Sequence, residues 1–289
     1  MNGILLIDKE QDWTSNDVVV KLKGVLHERR IGHSGTLDPM ATGLLVVFVG
    51  RATRAVSFAE KDEKSYLATL RLGLVTDTQD TTGRVLSENA VSVSEAALQE
   101  TLDRFRGEQD QIPPMYSAIK VHGKKLYEIA RKGGELERQP RRITIQELSC
   151  LGREGNDVFL RVRCSKGTYI RTLCHDIGEA LGCGGCMAAL RRVSAGGFSV
   201  DEAITIAQAQ ELSNRGEIES RLLPIDSLFQ RYPFCIAETE QEKRIHCGNA
   251  YPCDLPEGTY RVYSETGEFL MLGKAEDAFM LTIKSFFEV

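Results

Sequence analysis

The 289-residue sequence has no long apolar run, and its longest uninterrupted stretches fall far below the roughly 18 residues that a membrane-spanning helix needs. Residues 3–7 are apolar but run directly into Asp8, so they do not match a secretory signal. Both absences predict a cytoplasmic protein with no membrane partner. In that reducing compartment, the eight cysteines are interpreted as reduced side chains rather than as a disulfide framework.

Motifs of nucleotide and metal chemistry are also missing. The chain has no Walker loop, no Gly-x-Gly-x-x-Gly after a strand and no nucleophile elbow, so nothing indicates a nucleotide cofactor. Cys183 and Cys186 have half the spacing of a zinc ribbon, but no matching second pair follows. Asp77 and Asp80 suggest a magnesium site, although a turn fixed by local hydrogen bonds is the simpler interpretation. We therefore predict no cofactor and no metal.

The net charge of −5 is unevenly distributed along the chain. Residues 104–192 carry 17 basic and 10 acidic side chains, a balance of +7, whereas residues 193–289 carry 8 and 16, a balance of −8. A basic segment inside an acidic protein is the pattern that attracts a phosphate backbone, although a solvated basic face would give the same count.

The most informative segment is Gly32–Gly43, which contains a single carboxylate, Asp38, directly before Pro39. Glycine and proline break this segment too often for a regular element, and the apolar run 44–49 after it predicts a buried strand that holds the loop rigid. A lone acid on a stiff loop suits a nucleophile or base that points into a cleft. The alternative is a turn aspartate that bonds to its own backbone.

Three other side chains could complete a site around Asp38. A guanidinium such as Arg171 would fix the orientation of the carboxylate. Tyr66 and Tyr169 would suit chemistry on a planar base with a ribose, because rings stack on bases and a hydroxyl can move a proton. His33 could be a base or a ligand, but a satisfied or surface histidine is the simpler interpretation.

Hydrophobic patterning predicts the elements of the fold. Strands are expected at 4–7, 44–49, 66–72, 141–148 and 158–164. Helices are expected at 15–26, 95–105 and from Tyr169 or Ile170 to residue 181, and Ser15 or Asn16 is the expected cap of the first helix. This order has no βαβ rhythm and predicts an α+β fold with a mixed, largely antiparallel central sheet and flanking helices. Short strands between turn signals follow, so we predict two domains, residues 1–231 and a small β-rich domain at 232–289.

The motifs occur in an order that resembles the TruB-type bacterial tRNA pseudouridine synthases, which isomerise the uridine at position 55 of the T loop. The resemblance covers roughly residues 1–230 and rests on these segments: 6–9, 14–15, 32–43, 64–66, 72–73, 76–80, 111–118, 123–127, 164–171 and 190–192. It implies the pseudouridine synthase fold, no cofactor, and the T stem-loop of tRNA as the partner. Residues 232–289 resemble, more weakly, the small PUA-type RNA-binding module. Nothing indicates more than a monomer.

The resemblance also implies residue roles. Asp38 would be the catalytic aspartate that breaks the glycosidic bond, Tyr66 would stack on the target base and move a proton, and Arg171 would pair with Asp38. Four side chains would contact the everted uridine or the RNA that it leaves: His33, Tyr66, Tyr169 and Leu190. Removal of a base from its stack precedes chemistry in enzymes of this kind. An insertion at about 111–142 would contact the folded RNA.

One departure from the family pattern lies after the first strand, where the usual Lys-Pro-x-Gly is Lys9-Glu-Gln-Asp12. Two other functions remain open. An RNA-binding or tRNA-folding protein could keep an inactive site, but intact Asp38, Tyr66 and Arg171 favour an enzyme. An aspartate-dependent glycoside hydrolase would usually need two carboxylates near the bond, and the sequence offers one convincing candidate.

Overall fold

The computed structural model describes residues 1–59, 63–117, 119–121, 123–130 and 132–287. The strands are β1 (Gly3–Lys9), β2 (Ile31–Ser34), β3 (Thr42–Val49), β4 (Lys64–Leu72), β5 (Leu74–Thr76), β6 (Val85–Glu88), β7 (Gly107–Gln111), β8 (Lys120–Val121), β9 (Lys124–Lys125), β10 (Arg141–Glu154), β11 (Asp157–Cys164), β12 (Gly185–Ala195), β13 (Phe198–Ser199), β14 (Phe234–Ala237), β15 (Tyr251–Pro252), β16 (Gly258–Ser264), β17 (Phe269–Glu276) and β18 (Phe279–Ser285). The helices are α1 (Ser15–Leu26), α2 (Val56–Ala59), α3 (Glu95–Arg104), α4 (Leu126–Ala130), α5 (Ile170–Ala180), α6 (Ile206–Asn214) and α7 (Thr239–His246). None of these helices is long and apolar enough to cross a membrane.

A nine-stranded mixed sheet forms the centre of the described structure. Its main order is β1-β3-β12-β4-β11-β10-β7, with β2 paired to β3 and β13 paired to β12. Only the β3–β12 pair is parallel among these ladders. The predicted α+β fold is therefore confirmed, and the strands and helices expected from periodicity are present with ends shifted by a few residues.

Strands β1 and β3 are buried on both faces, which explains their continuous apolar sequences. Leu5 and Ile7 face α1 and α6, while Ile4 and Leu6 face a second cluster that includes Phe229. Because apolar layers cover both faces, the end of β3 next to the Asp38 loop has little freedom to move. The burial of this strand is what the sequence predicted.

The cap of α1 differs from the prediction. Thr14 is the N-cap, because its hydroxyl accepts a hydrogen bond from the Asp17 N–H and the Asp17 carboxylate accepts one from the Thr14 N–H. The prediction of Ser15 or Asn16 was wrong by one or two residues. The Ser15 hydroxyl is instead bonded to the backbone of Leu37, in the loop that carries Asp38.

A second, five-stranded sheet has the order β14-β16-β17-β18-β15 and confirms the predicted β-rich C-terminal region. Leu272 and Phe286 pack with Phe229 against the outer face of β1 and β3. Helix α7 was not predicted, since Ile245 is its one buried residue within the described structure. The domain boundary at residue 232 stays a prediction, and residues 288 and 289 of the predicted domain lie outside the described residues.

Candidate active site

The Asp38 loop joins β2 to β3 and turns at two glycines. Gly35 has φ +70° and Gly43 has φ +97°, conformations that favour glycine. A Cβ added at Gly43 would lie 2.3 Å from the carbonyl oxygen of Arg192 on the neighbouring strand β12. Glycine at this position therefore allows the loop to return to the sheet in close contact with β12.

Hydrogen bonds to the backbone of the loop hold it from the side of β1 and α1. The Ser15 hydroxyl accepts from the Leu37 N–H at 2.9 Å. The Pro39 carbonyl accepts from Lys9 Nζ at 3.2 Å and from the Asp12 N–H at 2.8 Å. Asp12 stands where the family pattern has glycine and adopts φ +67°, which aspartate tolerates better than most residues, so this turn forms without the glycine. Burial lowers the pKa of Lys9 to about 8.

Arg171 reaches Asp38 from the first turn of α5. The Arg171 Nε atom lies 2.9 Å from Asp38 Oδ2, and Nη2 lies 3.4 Å from Oδ1. The guanidinium side chain is 5% exposed whereas the carboxylate side chain is 38% exposed. A buried cation thus fixes an acid that remains open to solvent, as a group that meets a ligand must be.

The same guanidinium connects two other segments, the turn at 78–82 and the loop at Tyr116. Arg171 Nη1 donates to the Thr78 carbonyl at 3.0 Å, and Nη2 donates to the Tyr116 carbonyl at 2.8 Å. Asp80 Oδ2 lies 3.7 Å from Nη1. Asp80 Oδ1 accepts from Thr78 Oγ1, and from the N–H and hydroxyl of Thr82, so the turn interpretation of Asp80 is confirmed. The sequence did not indicate that this buried carboxylate adjoins the Asp38–Arg171 pair.

Tyr66, Tyr169 and Leu190 lie near the pair. Tyr66 on β4 and Leu190 on β12 are buried in one cluster that also contains Leu37 of the loop. Burial raises the pKa of both tyrosines above the ordinary value, and the charge of Asp38 contributes to each increase. The structure therefore brings both rings within electrostatic range of the carboxylate, as the sequence predicted.

Tyr169 and Arg171 do not lie on one face of an extended strand. The extended geometry ends at Tyr169, which is the N-cap of α5. The Gln111 side chain, which the sequence did not single out, donates to the Tyr169 carbonyl at 3.1 Å and accepts from the Tyr169 N–H at 2.8 Å. The end of β7 thus fixes the start of the helix that carries Arg171.

His33 lies on β2 opposite Val47, on the N-terminal side of the loop. Its Nδ1 atom is buried without a hydrogen-bond partner. Burial lowers the pKa of His33, and the positive charge of Arg192 lowers it further, so the ring is neutral at pH 7. No group of three His, Cys, Asp or Glu side chains within the described ranges could hold a metal ion.

Comparisons with known proteins identify the family of the chain. The family model of the N-terminal domain of TruB family pseudouridylate synthases matches residues 23–170, and the model of the tRNA pseudouridylate synthase B C-terminal domain matches residues 171–230. The chain is 44% identical over 277 residues to tRNA pseudouridine synthase B of Dechloromonas aromatica (strain RCB), covering 95% of this chain and 91% of that protein. It is 41% identical over 292 residues to the protein of the same name from Clostridium kluyveri (strain ATCC 8527 / DSM 555 / NBRC 12016 / NCIMB 10680 / K1). That match covers 99% of this chain and 100% of that protein.

Solved structures show the same fold. A chain in the crystal structure of a Cbf5–Nop10–Gar1 complex superposes with a TM-score of 0.74 at 26% identity, covering 99% of this chain and 85% of that one. A chain of an H/ACA RNP bound to a substrate RNA containing 2′-deoxyuridine superposes with a TM-score of 0.73 at 23% identity, covering 99% of this chain and 85% of that one. With a family model over half of its length and relatives above 40% identity, this chain belongs to the TruB family of pseudouridylate synthases.

Proposed function

We propose that this protein isomerises uridine to pseudouridine at position 55 in the T loop of tRNA, with Asp38 as the catalytic group. The observation that carries the proposal is the solvent-open Asp38 carboxylate held by the buried Arg171 guanidinium at a wall of aromatic and apolar side chains. The name tRNA pseudouridine synthase B, carried by relatives that match nearly the whole chain, supports tRNA as the substrate.

The reaction rearranges one nucleoside without a change in oxidation state. The bond between N1 of uracil and C1′ of the ribose breaks with assistance from Asp38, and the uracil rotates. A bond then forms between C5 and C1′, the proton on C5 is lost, and N1 gains a proton. Reactants and product therefore contain the same atoms, and no external electron donor is required.

Each of the other side chains has a role in this scheme. Arg171 fixes the Asp38 carboxylate, and Tyr66 stacks on the uracil and takes part in moving the proton. Tyr169 and Leu190 line the uridine pocket. Neutral His33 fills the position from which the base has been everted, because an uncharged ring can stack there.

The insertion at about 111–142 and the exposed basic residues of 104–192 bind the RNA stem-loop, largely through its shape and phosphates. Arg141 supports this role, since it is exposed and its charge acts on Tyr169. Residues 232–289 form a PUA-like module in this proposal. The protein acts as a cytoplasmic monomer without a cofactor.

The test is tritium release from a T stem-loop RNA that carries carbon-5-tritiated uridine at position 55, assayed without added metal. Wild-type protein should release the label to water and yield pseudouridine, and the same RNA labelled at another uridine should not. Asp38→Asn should abolish release while RNA affinity stays within a few-fold. Pseudouridine formation by Asp38→Asn would contradict the role of Asp38.

The same assay separates the two alternatives. An RNA-folding protein would bind the stem-loop without tritium release. A hydrolase would liberate free uracil that retains the label. Asp80 is the second carboxylate near the site, but its Oδ1 atom accepts three hydrogen bonds and its side chain is buried, so it is poorly suited to act as the acid that a hydrolase needs.

A further inference from the structure

Arg192 is a fully buried cation that the scheme above does not use. It is 1% exposed and is one of the largest fully buried side chains in the described part of the chain. Its position on β12 is opposite Tyr66 of β4 on one side and next to Gly43 of β3 on the other. Arg192 therefore lies between the strand that carries Tyr66 and the strand that follows the Asp38 loop.

Two hydrogen bonds connect Arg192 to the ends of that loop. Its Nε atom donates to the Leu44 carbonyl at 2.7 Å, and Nη2 donates to the Gly35 carbonyl at 2.8 Å. Gly35 and Leu44 flank Asp38 on either side in the sequence. One rigid planar group thus fixes both ends of the loop, which a flexible ammonium group could not do with the same geometry.

Arg192 also lies next to Tyr66, its partner in the ladder between β12 and β4. Its positive charge favours the ionised form of the Tyr66 phenol and so opposes the rise in pKa that burial causes. Arg192 therefore adjoins the strand that carries Tyr66 while it bonds both ends of the Asp38 loop.

The surroundings of Arg192 favour a functional reason for its burial. No salt bridge joins Arg192 to a carboxylate within the ranges that the structure describes, and its charge acts on Lys9 and His33, which are themselves basic. A buried guanidinium without a paired acid is unfavourable for stability compared with an apolar side chain of similar size. A strand that only needed to fill the core would not require it.

We propose that Arg192 is a positioning residue that holds both ends of the Asp38 loop next to the strand that carries Tyr66, in one fixed arrangement around the everted base. The inference rests on the proposed function, since it assumes that Asp38 and Tyr66 act on one uridine. Arg192 itself does not touch the substrate. Its loss should slow the chemical step and leave RNA binding nearly unchanged.

The experiment compares Arg192→Met with Arg54→Met in single-turnover tritium release and in affinity for the T stem-loop. Arg54 is the matched control, because it is half-buried and its guanidinium donates to two backbone carbonyls, those of Ser285 and Phe287, at 3.3 and 3.4 Å, outside the basic segment 104–192. Arg192→Met should lower the rate constant about 100-fold, the size of effect expected when a reacting group is misplaced by about 1 Å. Its RNA affinity, and both quantities for Arg54→Met, should stay within about threefold of wild type.

A readout on Tyr66 separates positioning from a purely structural role. With tyrosine labelled at Cζ with carbon-13, the Tyr66 resonance should titrate at higher pH in Arg192→Met, since the neighbouring positive charge that favours the phenolate has been removed. Arg54→Met should leave the titration unchanged. An unchanged Tyr66 titration, a wild-type rate constant, or a loss of affinity equal to the loss of rate would overturn the proposal.

If Arg192→Met does not fold, Arg192→Lys carries the same test, because lysine keeps the charge but cannot bond the Gly35 and Leu44 carbonyls with one rigid group. A rate constant about tenfold below wild type, with unchanged affinity, is expected. A wild-type rate constant would refute the inference. Failure of the proposed function is distinct from this result, since the wild-type protein would then release no tritium.

Discussion

The Arg171 guanidinium and the Asp38 carboxylate face each other at 2.9 Å although they are 133 positions apart in the chain. Arg171 also bonds the Thr78 and Tyr116 carbonyls, so one side chain fixes the acid relative to two loops. Lysine offers a single ammonium and cannot reproduce these four bonds. We expect Arg171→Lys to lower the single-turnover rate of tritium release about 100-fold or more.

The control for this prediction is Arg71→Lys. Arg71 forms a similar two-point pair with Asp157, at 2.8 and 2.7 Å, on the strands β4 and β11. This substitution should change the rate of tritium release by less than about threefold, because the Arg71–Asp157 pair is partly exposed and contributes little to stability. A rate for Arg171→Lys as high as that of Arg71→Lys would show that the two-point contact with Asp38 is dispensable.

Gln111 provides a second prediction. Its buried side-chain amide satisfies both the N–H and the carbonyl of Tyr169, so Gln111→Leu leaves these two groups without partners at the start of α5. We expect a loss of about 1–3 kcal/mol in the free energy of unfolding, measured by urea denaturation. The rate of tritium release should also fall, because the start of α5 places both the Tyr169 and the Arg171 side chains.

Gln109→Leu on the same strand is the matched control. Gln109 is half-buried, and its side-chain amide donates to the Phe105 carbonyl rather than to the start of α5. This variant should be destabilised by less than about 1.5 kcal/mol and should keep its rate. Equal effects of the two variants on rate would exclude a specific connection between Gln111 and the site.

The sheet and the Asp38 loop could be predicted from the sequence because their signals are local. Alternating and continuous apolar runs mark the strands, and glycine and proline mark the loop. The cap of α1 was assigned to Ser15 or Asn16 rather than to Thr14, since a serine at the start of a helix gives the same signal whether it caps the helix or bonds a distant loop. Helix α7 has too narrow an apolar face to be detected.

The supporting side chains of the site could not be predicted for a different reason. Lys9, Gln111 and Arg192 act through bonds to backbone carbonyls of segments far away in the chain. Every residue has a carbonyl, so such bonds leave no spacing or composition signal in a single sequence. The resemblance gave the site residues Asp38 and Arg171, and the structure adds the groups that hold them.

The buried amine of Lys9 predicts a specific pH dependence of stability. Its pKa is about 8 in the folded protein and near 10.5 when unfolded, because burial disfavours the charged form. Between these values the unfolded state binds more protons, so the contribution of Lys9 to stability increases as the pH rises from about 8 to about 10.5. The gain is at most about 3 kcal/mol.

Urea denaturation at pH 7 to 10.5 checks this prediction by comparing wild type with Lys9→Met and Lys21→Met. Lys21 is exposed on α1 and serves as the control. The difference in unfolding free energy between wild type and Lys9→Met should increase with pH over this range, and the difference for Lys21→Met should stay flat. A constant difference for Lys9→Met would mean that Lys9 keeps an ordinary pKa in the folded state.

The basic segment 104–192 predicts that RNA binding depends steeply on salt despite the net charge of −5. Lysine and arginine side chains that neutralise phosphates release counterions, so the logarithm of the affinity falls linearly with the logarithm of the salt concentration. Filter binding of the T stem-loop between 50 and 200 mM potassium chloride should show at least about a tenfold loss of affinity. Arg141→Gln should reduce the slope by about one, whereas Arg215→Gln, outside the segment, should leave it unchanged. A flat response of the wild-type protein would mean that phosphates contribute little to binding, and a reduced slope for Arg215→Gln alone would move the RNA contact away from residues 104–192.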